Sequence, residues 1–299
     1  MSLFIIIFAL LLAHYRPSSV LDGYVGVIRF FERKFNDGQF KHGLIAWLLA
    51  VLLPVLLMLV ACSICKHLSA LLYFLLGVAV LYCMLDSVDF SATAEAISND
   101  LRDNNISFAR ERLAQWSGHS TAEYGAPEIA RVAIETALLR AHGGLLALIF
   151  WFVLLGPAGA VLYRLAQLTQ QTWQFEESAF NHVAQRAFYW LDWLPAHVTA
   201  ISFAVVGNFE DAMYCWRTQV DTWKNRTTAI MLASGAGALG VKLGEPLFAN
   251  GILEYRPELG LGDTADADYV MSAVGLIWRA LVLLLTMVLL MTFANWLGK

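Results

Sequence analysis

Asp192 and His197 stand on either side of Pro195 in the stretch Leu191-Asp192-Trp193-Leu194-Pro195-Ala196-His197. A carboxylate and an imidazole at a break in an apolar helix are groups that membrane proteins use to hold ions or anions. Five residues set them about 140° apart round a regular helix, so Pro195 must reshape the turn before they cooperate. The alternative has Asp192 cap a helix that opens near Leu194-Pro195, with His197 at the headgroup boundary. Glu135 is the second candidate catalytic acid; paired with Arg131 or Arg140 it is a solvated structural charge. Arg164 falls near the end of an apolar run and either snorkels to the interface or binds an anion.

A third constellation is Ser234-Gly235-Ala236-Gly237-Ala238-Leu239-Gly240-Val241-Lys242-Leu243-Gly244, which contains a literal G-x-G-x-x-G. A dinucleotide site needs a strand before it, a helix opening in it and an acid about twenty residues on. Glu254 and Glu258 are in range, but nothing between reads as a strand-helix-strand unit. Two readings stay open. The stretch is a small-residue helix face with Gly235, Gly237 and Gly240 as contact points, or a loop whose amides cradle an anion with Lys242 as point charge. Cys62-x-x-Cys65 has the spacing of a redox or zinc pair. No second pair or His cluster completes it, so packed thiols are expected and no metal site.

These groups have to be positioned by membrane helices. The 299 residues are 59% hydrophobic and 15% charged, with net charge −4 and mean hydropathy +0.59. Soluble domains are nearer a quarter charged, and the acidic balance gives no footprint for nucleic acid. Four runs are long enough to span: Gly43–Ile64, Leu68–Leu85, Gly143–Leu165 with a bend at Gly156-Pro157, and Val274–Leu297. Two are short: Ser2–Tyr15, and Leu194–Val206, which is expected to be broken by Pro195. The N-terminal run lacks a basic flank and a small-residue cleavage site, so it is expected to stay in the protein. Trp47, Trp151, Trp190 and Trp193 fit an aromatic belt at span boundaries.

Between these runs, residues 86–142 repeat apolar positions at helical spacing (Ile129, Val132, Ala133, Ala137). Pro127-Glu128 opens the last helix there, and Asn208 with Glu210 and Asp211 opens another. The expected organisation is N-terminal membrane helices with a basic loop (1–85), amphipathic helices (86–142), central membrane helices (143–207), a Gly-rich segment (208–273) and a C-terminal membrane helix (274–299). With the N-terminus outside, segments 16–42, 86–142 and 208–273 hold fifteen Lys or Arg against four on the other side. That bias makes them cytoplasmic. Arg279, inside the last span, is expected to pair with an acid such as Asp268 or to snorkel.

Four stretches, in order, resemble the CbiB/CobD family. They are Ala133-Ile134-Glu135-Thr136 leading to Phe150-Trp151; Gly156-Pro157-Ala158-Gly159-Ala160-Val161-Leu162-Tyr163-Arg164; Trp193-Leu194-Pro195-Ala196-His197-Val198-Thr199-Ala200; and Ala236 to Gly244 followed by Leu259-Gly260-Leu261-Gly262. The resemblance implies an all-α integral membrane protein in the bacterial inner membrane. It also implies a synthase that attaches aminopropanol phosphate to adenosylcobyric acid, with Glu135 lining the active cavity and Arg164 binding an anion.

The chain departs from the synthases where their acids stand. Their A-E-N-x-x-D-G is replaced by Leu138-Leu139-Arg140-Ala141-His142-Gly143-Gly144, their N-T-L-D by Gln167-Leu168-Thr169-Gln170, and their Asp-Asp pair by Phe188-Tyr189. The N-terminal D-P…H-P-V signature gives way to Arg16-Pro17 through Tyr24-Val25. Joining a phosphate-bearing amine to a carboxylate normally uses a Mg²⁺ held by carboxylates and amides, and these replacements remove such ligands. Leu191-Asp192-Trp193-Leu194-Pro195 with a span at 274–297 looks like the AmpE branch instead. The resulting expectation is an AmpE-like member that senses, scaffolds or binds a ligand, with Mg²⁺ required only if synthase activity remains. Arg164, His197, Gly237, Gly240 and Lys242 are its candidate ligand residues; Glu135 and Asp192 are its candidate catalytic acids. Its expected partners are the bilayer, an anionic small molecule, and a second copy or another membrane protein.

Overall fold

The computed structural model describes residues 2–13, 21–85, 90–173, 178–249 and 252–297. Residues 14–20 and 86–89, which hold the end of the first apolar run, Arg16-Pro17 and the start of the polar segment, lie outside them. The helices are α1 (Ser2–Ala13), α2 (Asp22–Phe35), α3 (Phe40–Leu68), α4 (Ala70–Met84), α5 (Phe90–Arg102), α6 (Ile106–Ser117), α7 (Ala126–Leu155), α8 (Pro157–Thr172), α9 (Ala179–Val206), α10 (Phe209–Gln219), α11 (Arg226–Leu239) and α12 (Ala267–Leu297). One short antiparallel pair, β1 (Leu247–Ala249) and β2 (Ile252–Glu254), interrupts the helical order. This is an all-α membrane protein. Phe40–Leu68, Ala126–Leu155 and Ala267–Ala294 are long and apolar enough to cross a bilayer, while Ser2–Leu12 and Ala70–Met84 are apolar but shorter. The 15 residues of α4 rise only about 22 Å, less than a hydrocarbon core of about 30 Å. The run 143–165 is divided between α7 and α8 by Gly156, whose φ of +68° closes the helix in a conformation that Cβ-bearing residues avoid.

The chain forms two compact units. The first takes in the described residues of 1–88, 143–195 and 288–299. Here α1 packs on α4, and α8 packs on α3 and α4, around Ala50, Val51, Val55, Val161, Leu165 and Ala166. Two long helices in this unit contain proline, and neither stops at it. Proline has no N–H for the carbonyl four residues earlier, and an orphaned carbonyl in an apolar setting is costly. Pro54 orphans Ala50, where α3 widens into a π-turn at Leu48–Leu52; the Tyr24 hydroxyl donates to the Ala50 carbonyl at 2.5 Å. Pro195 orphans Leu191, and the Trp151 indole N–H donates to that carbonyl at 3.2 Å. The expected break at Pro195 is therefore corrected: residues 194–206 are the end of a continuous 28-residue helix, because a side chain supplies the missing donor.

The second unit takes in the described residues of 89–142 and 196–287. The expected amphipathic helices of the polar segment are α5, α6 and the start of α7. They bury Ala94, Ile97, Ala109, Leu113, Ile129, Ala133 and Ala137 against one another. Pro127 stands in the first turn of α7 and the Glu128 carboxylate accepts from the Gly125 N–H, completing the start that the sequence signals. Asn208 caps α10 by accepting from the Asp211 N–H at 3.3 Å. Arg279 does not pair with Asp268: it donates to the Val206 carbonyl at 2.8 Å, placing a cation on the C-terminus of α9. Asp268 pairs with Arg102 at 2.6 Å.

Candidate functional site

In the second unit, the described residues of 240–263 are fastened to α7 and α10. Val241 bridges to Asp263 and Leu243 to Leu259, and the Gln219 amide both donates to and accepts from Gly260. Gly244 has φ +75°, and a Cβ there would collide with the Pro257 carbonyl oxygen. Only glycine fits on both counts. That turn delivers the Gly244 N–H to one oxygen of Glu135 at 2.8 Å, while the Arg256 guanidinium takes the other at 2.7 Å. The side chains of Glu135 and Arg256 are 6% and 15% exposed. Arg256 also reaches the Glu245 and Gly244 carbonyls and lies over the Trp223 ring, 5.8 Å from its centroid.

Glu135 is thus paired, but not with Arg131 or Arg140 as the local spacing suggests. Arg140 donates to the Trp116 carbonyl, and Arg131 holds the Glu245 carboxylate and the Pro246 carbonyl. Tyr124 completes this cluster. Its hydroxyl is buried; burial raises its pKa, and the nearby Arg256 and Arg131 pull it back.

The glycine stretch resolves into structure. Ser234 to Leu239 is helical, so the G-x-G-x-x-G ends a helix where a dinucleotide site would open one. A Cβ at Gly237 would lie 2.6 Å from the Asp211 carbonyl oxygen of α10, which makes Gly237 a close-packing point, and Gly235 faces Leu138 in the same way. Gly240 is not a contact point: it is the left-handed C-cap of α11, φ +71°. Lys242 pairs with Glu258 at 3.2 Å, both about half-exposed. His197 packs edge-on to Trp216, and His142 shares a 2.9 Å hydrogen bond with Thr199.

The first unit holds a separate polar group. Asp192 is not an N-cap; it lies inside α9, buried, and accepts from the Tyr163 hydroxyl at 2.8 Å. Arg164, also buried, donates to the Gln167 amide oxygen at 2.6 Å.

Among the described residues no three His, Cys, Asp or Glu side chains are close enough to share a metal ion. At Glu135 a guanidinium already neutralises the carboxylate, and a second cation beside Arg256 would be repelled. The groups around Glu135 do not fit the Mg²⁺ that synthase chemistry implies. Sequence reasoning misses Arg256, Tyr124 and Tyr163 as members of these clusters, and it gives Arg131 the wrong partner, Glu135 in place of Glu245. Nothing local to Tyr255-Arg256-Pro257 marks a partner 121 residues away.

The family model described as CobD/Cbib protein matches residues 4–277. The cobalamin biosynthesis protein CobD of Stutzerimonas stutzeri (strain A1501) is 32% identical over 273 residues, 89% of this chain and 88% of its own length. Its namesake from Chromobacterium violaceum is 34% identical over 214 residues, 71% and 69% of the two chains. No solved structure matches. A match of that extent, over helices long and apolar enough to span a bilayer, means that the chain belongs to the CobD/CbiB family.

Proposed function

We propose that this chain is a non-synthase, AmpE-like member of the family, which works in the inner membrane by binding an anionic ligand in a sensing or scaffolding role. The observation that carries this reading is the state of Glu135. Both of its oxygens are held by the chain's own donors, the Gly244 amide and the Arg256 guanidinium. A carboxylate held in this way, 6% exposed, reaches a substrate only by giving up two hydrogen bonds. The replaced acids at 138–144, 167–170 and 188–189 support the same conclusion. The test is complementation of a cell that lacks its CbiB synthase, with membrane insertion of this chain confirmed by blot. The expected outcome is no restored cobalamin synthesis; rescue would overturn the proposal.

The second reading is a synthase that joins aminopropanol phosphate to a corrinoid acid through a divergent site. It is favoured by the name of the relatives at 32% and 34% identity, and rescue would establish it.

A further inference from the structure

We propose that Glu245 is a tethered occupant of an oxyanion site centred on Arg131, and that a small external carboxylate or phosphate takes its place. The inference deepens the ligand-binding reading above and rests on it.

The two members of the Arg131–Glu245 pair are unequally buried. The Arg131 side chain is 7% exposed and the Glu245 side chain 43%. The cation is fixed inside the unit and the anion stands at its surface, so exchange needs only the glutamate to turn outward. The guanidinium fork is also underused. One terminal nitrogen holds Glu245, the other makes a long 3.4 Å contact to the Pro246 carbonyl, and among the described residues Nε has no hydrogen-bond partner. Two oxygens of a carboxylate or phosphate would engage two nitrogens of that fork at once.

A second orphan donor lies in the same cluster. The Tyr124 hydroxyl belongs to a residue 3% exposed and has no hydrogen-bond partner among the described residues, although Arg256 and Arg131 are the charged groups that bear on it most. Buried hydroxyls without partners are rare, and this one, within the field of both guanidiniums, can donate to an arriving anion. Finally, Glu245 is held at φ +62°, a left-handed conformation that a side chain other than glycine adopts at a cost. The Arg256–Glu135 pair, 15% and 6% exposed, is held on both sides and stays in place, as does Lys242 on Glu258.

The test is titration of the full chain in detergent micelles with inorganic phosphate and with acetate, followed by calorimetry. Glu245→Gln removes the competing charge and should tighten binding about tenfold, because the site is no longer mostly self-occupied. Tyr124→Phe should weaken it severalfold. Arg131→Lys keeps the charge and loses the fork, and it should bind at least tenfold more weakly than wild type, with a thermal unfolding midpoint showing that it folds. The relative affinity for phosphate and acetate identifies the class of oxyanion. If Glu245→Gln binds neither anion more tightly than wild type, or Arg131→Lys binds as wild type does, the proposal is overturned. This failure is separable from that of the functional reading: a flat titration removes the site, whereas restored cobalamin synthesis removes the non-synthase reading.

Discussion

The indole of Trp151 in the first unit and the guanidinium of Arg256 in the second are both half-buried donors that reach an acceptor far away in sequence, but they serve different acceptors. Trp151 repairs a helix: it supplies the hydrogen bond that Pro195 cannot give to Leu191. Tyr24 does the same for Pro54 at Ala50. Arg256 repairs nothing in α7, whose backbone is already bonded. It binds a side chain, Glu135, and through it fastens a whole segment of loop. In the first unit long-range polar contacts keep helices continuous through an apolar environment. In the second they join ionised side chains that would each be expensive alone.

This contrast can be broken experimentally. The largest effect should come from Arg256→Met, which leaves Glu135 buried and unpaired and should destabilise the protein by about 3–5 kcal/mol. Adding Glu135→Leu should recover most of that loss in unfolding titrations in mixed micelles, since an apolar pair replaces an ionic one. If the double variant is no better than the single, the pair is not the unit of stability. The Cys215 thiol, on α10, reports whether the second unit stays closed. Burial and the neighbouring Asp211 push its pKa up to about 11. Its thiolate fraction at pH 8 is then about a hundredfold below that of an ordinary thiol. Maleimide labelling of Cys215 should be correspondingly slow and should rise about tenfold per pH unit up to about pH 10. Rapid labelling at pH 8 would show that the unit opens.

In the first unit Trp151→Phe should cost about 1–3 kcal/mol through the orphaned Leu191 carbonyl. The same substitution made on a Pro195→Ala background, where the new backbone N–H becomes available to the Leu191 carbonyl, should cost distinctly less. Equal costs on both backgrounds would mean that Trp151 acts by packing alone. The smallest effect belongs to Lys242→Ala. It breaks a half-exposed ion pair worth less than about 1 kcal/mol, and its unfolding midpoint should stay close to wild type.

What can be read from the sequence is local. Pro127-Glu128 marks the start of α7, Asn208 with its acids marks α10, and the apolar periodicity marks the helices of the polar segment, because the interacting groups there lie within a turn of each other. Pro195 misleads because the cost of a proline is a property of the isolated helix, and the donor that offsets it comes from 40 residues earlier than Leu191. Asp192 misleads as a cap for the same reason, since a cap is what a helix start near Leu194 would need. The glycines divide as packing dictates: Gly237 admits α10, whereas Gly240 ends the helix, and composition alone does not separate these roles. For Glu135, Arg131 and Arg140 are the partners within reach along the chain, and the fold supplies one 121 residues on.

That separation also sets an order in time. A ribosome adds about 5–20 residues per second, so Glu135 is made roughly 6–24 s before Arg256 exists. Throughout that interval the nascent chain carries a carboxylate whose counter-ion has not been translated, at a position followed directly by an apolar stretch entering the membrane. The acid must wait until the segment around Gly244 and Arg256 arrives to close over it. Chains released early, before residue 256, never complete that closure and would be the natural targets of membrane quality control.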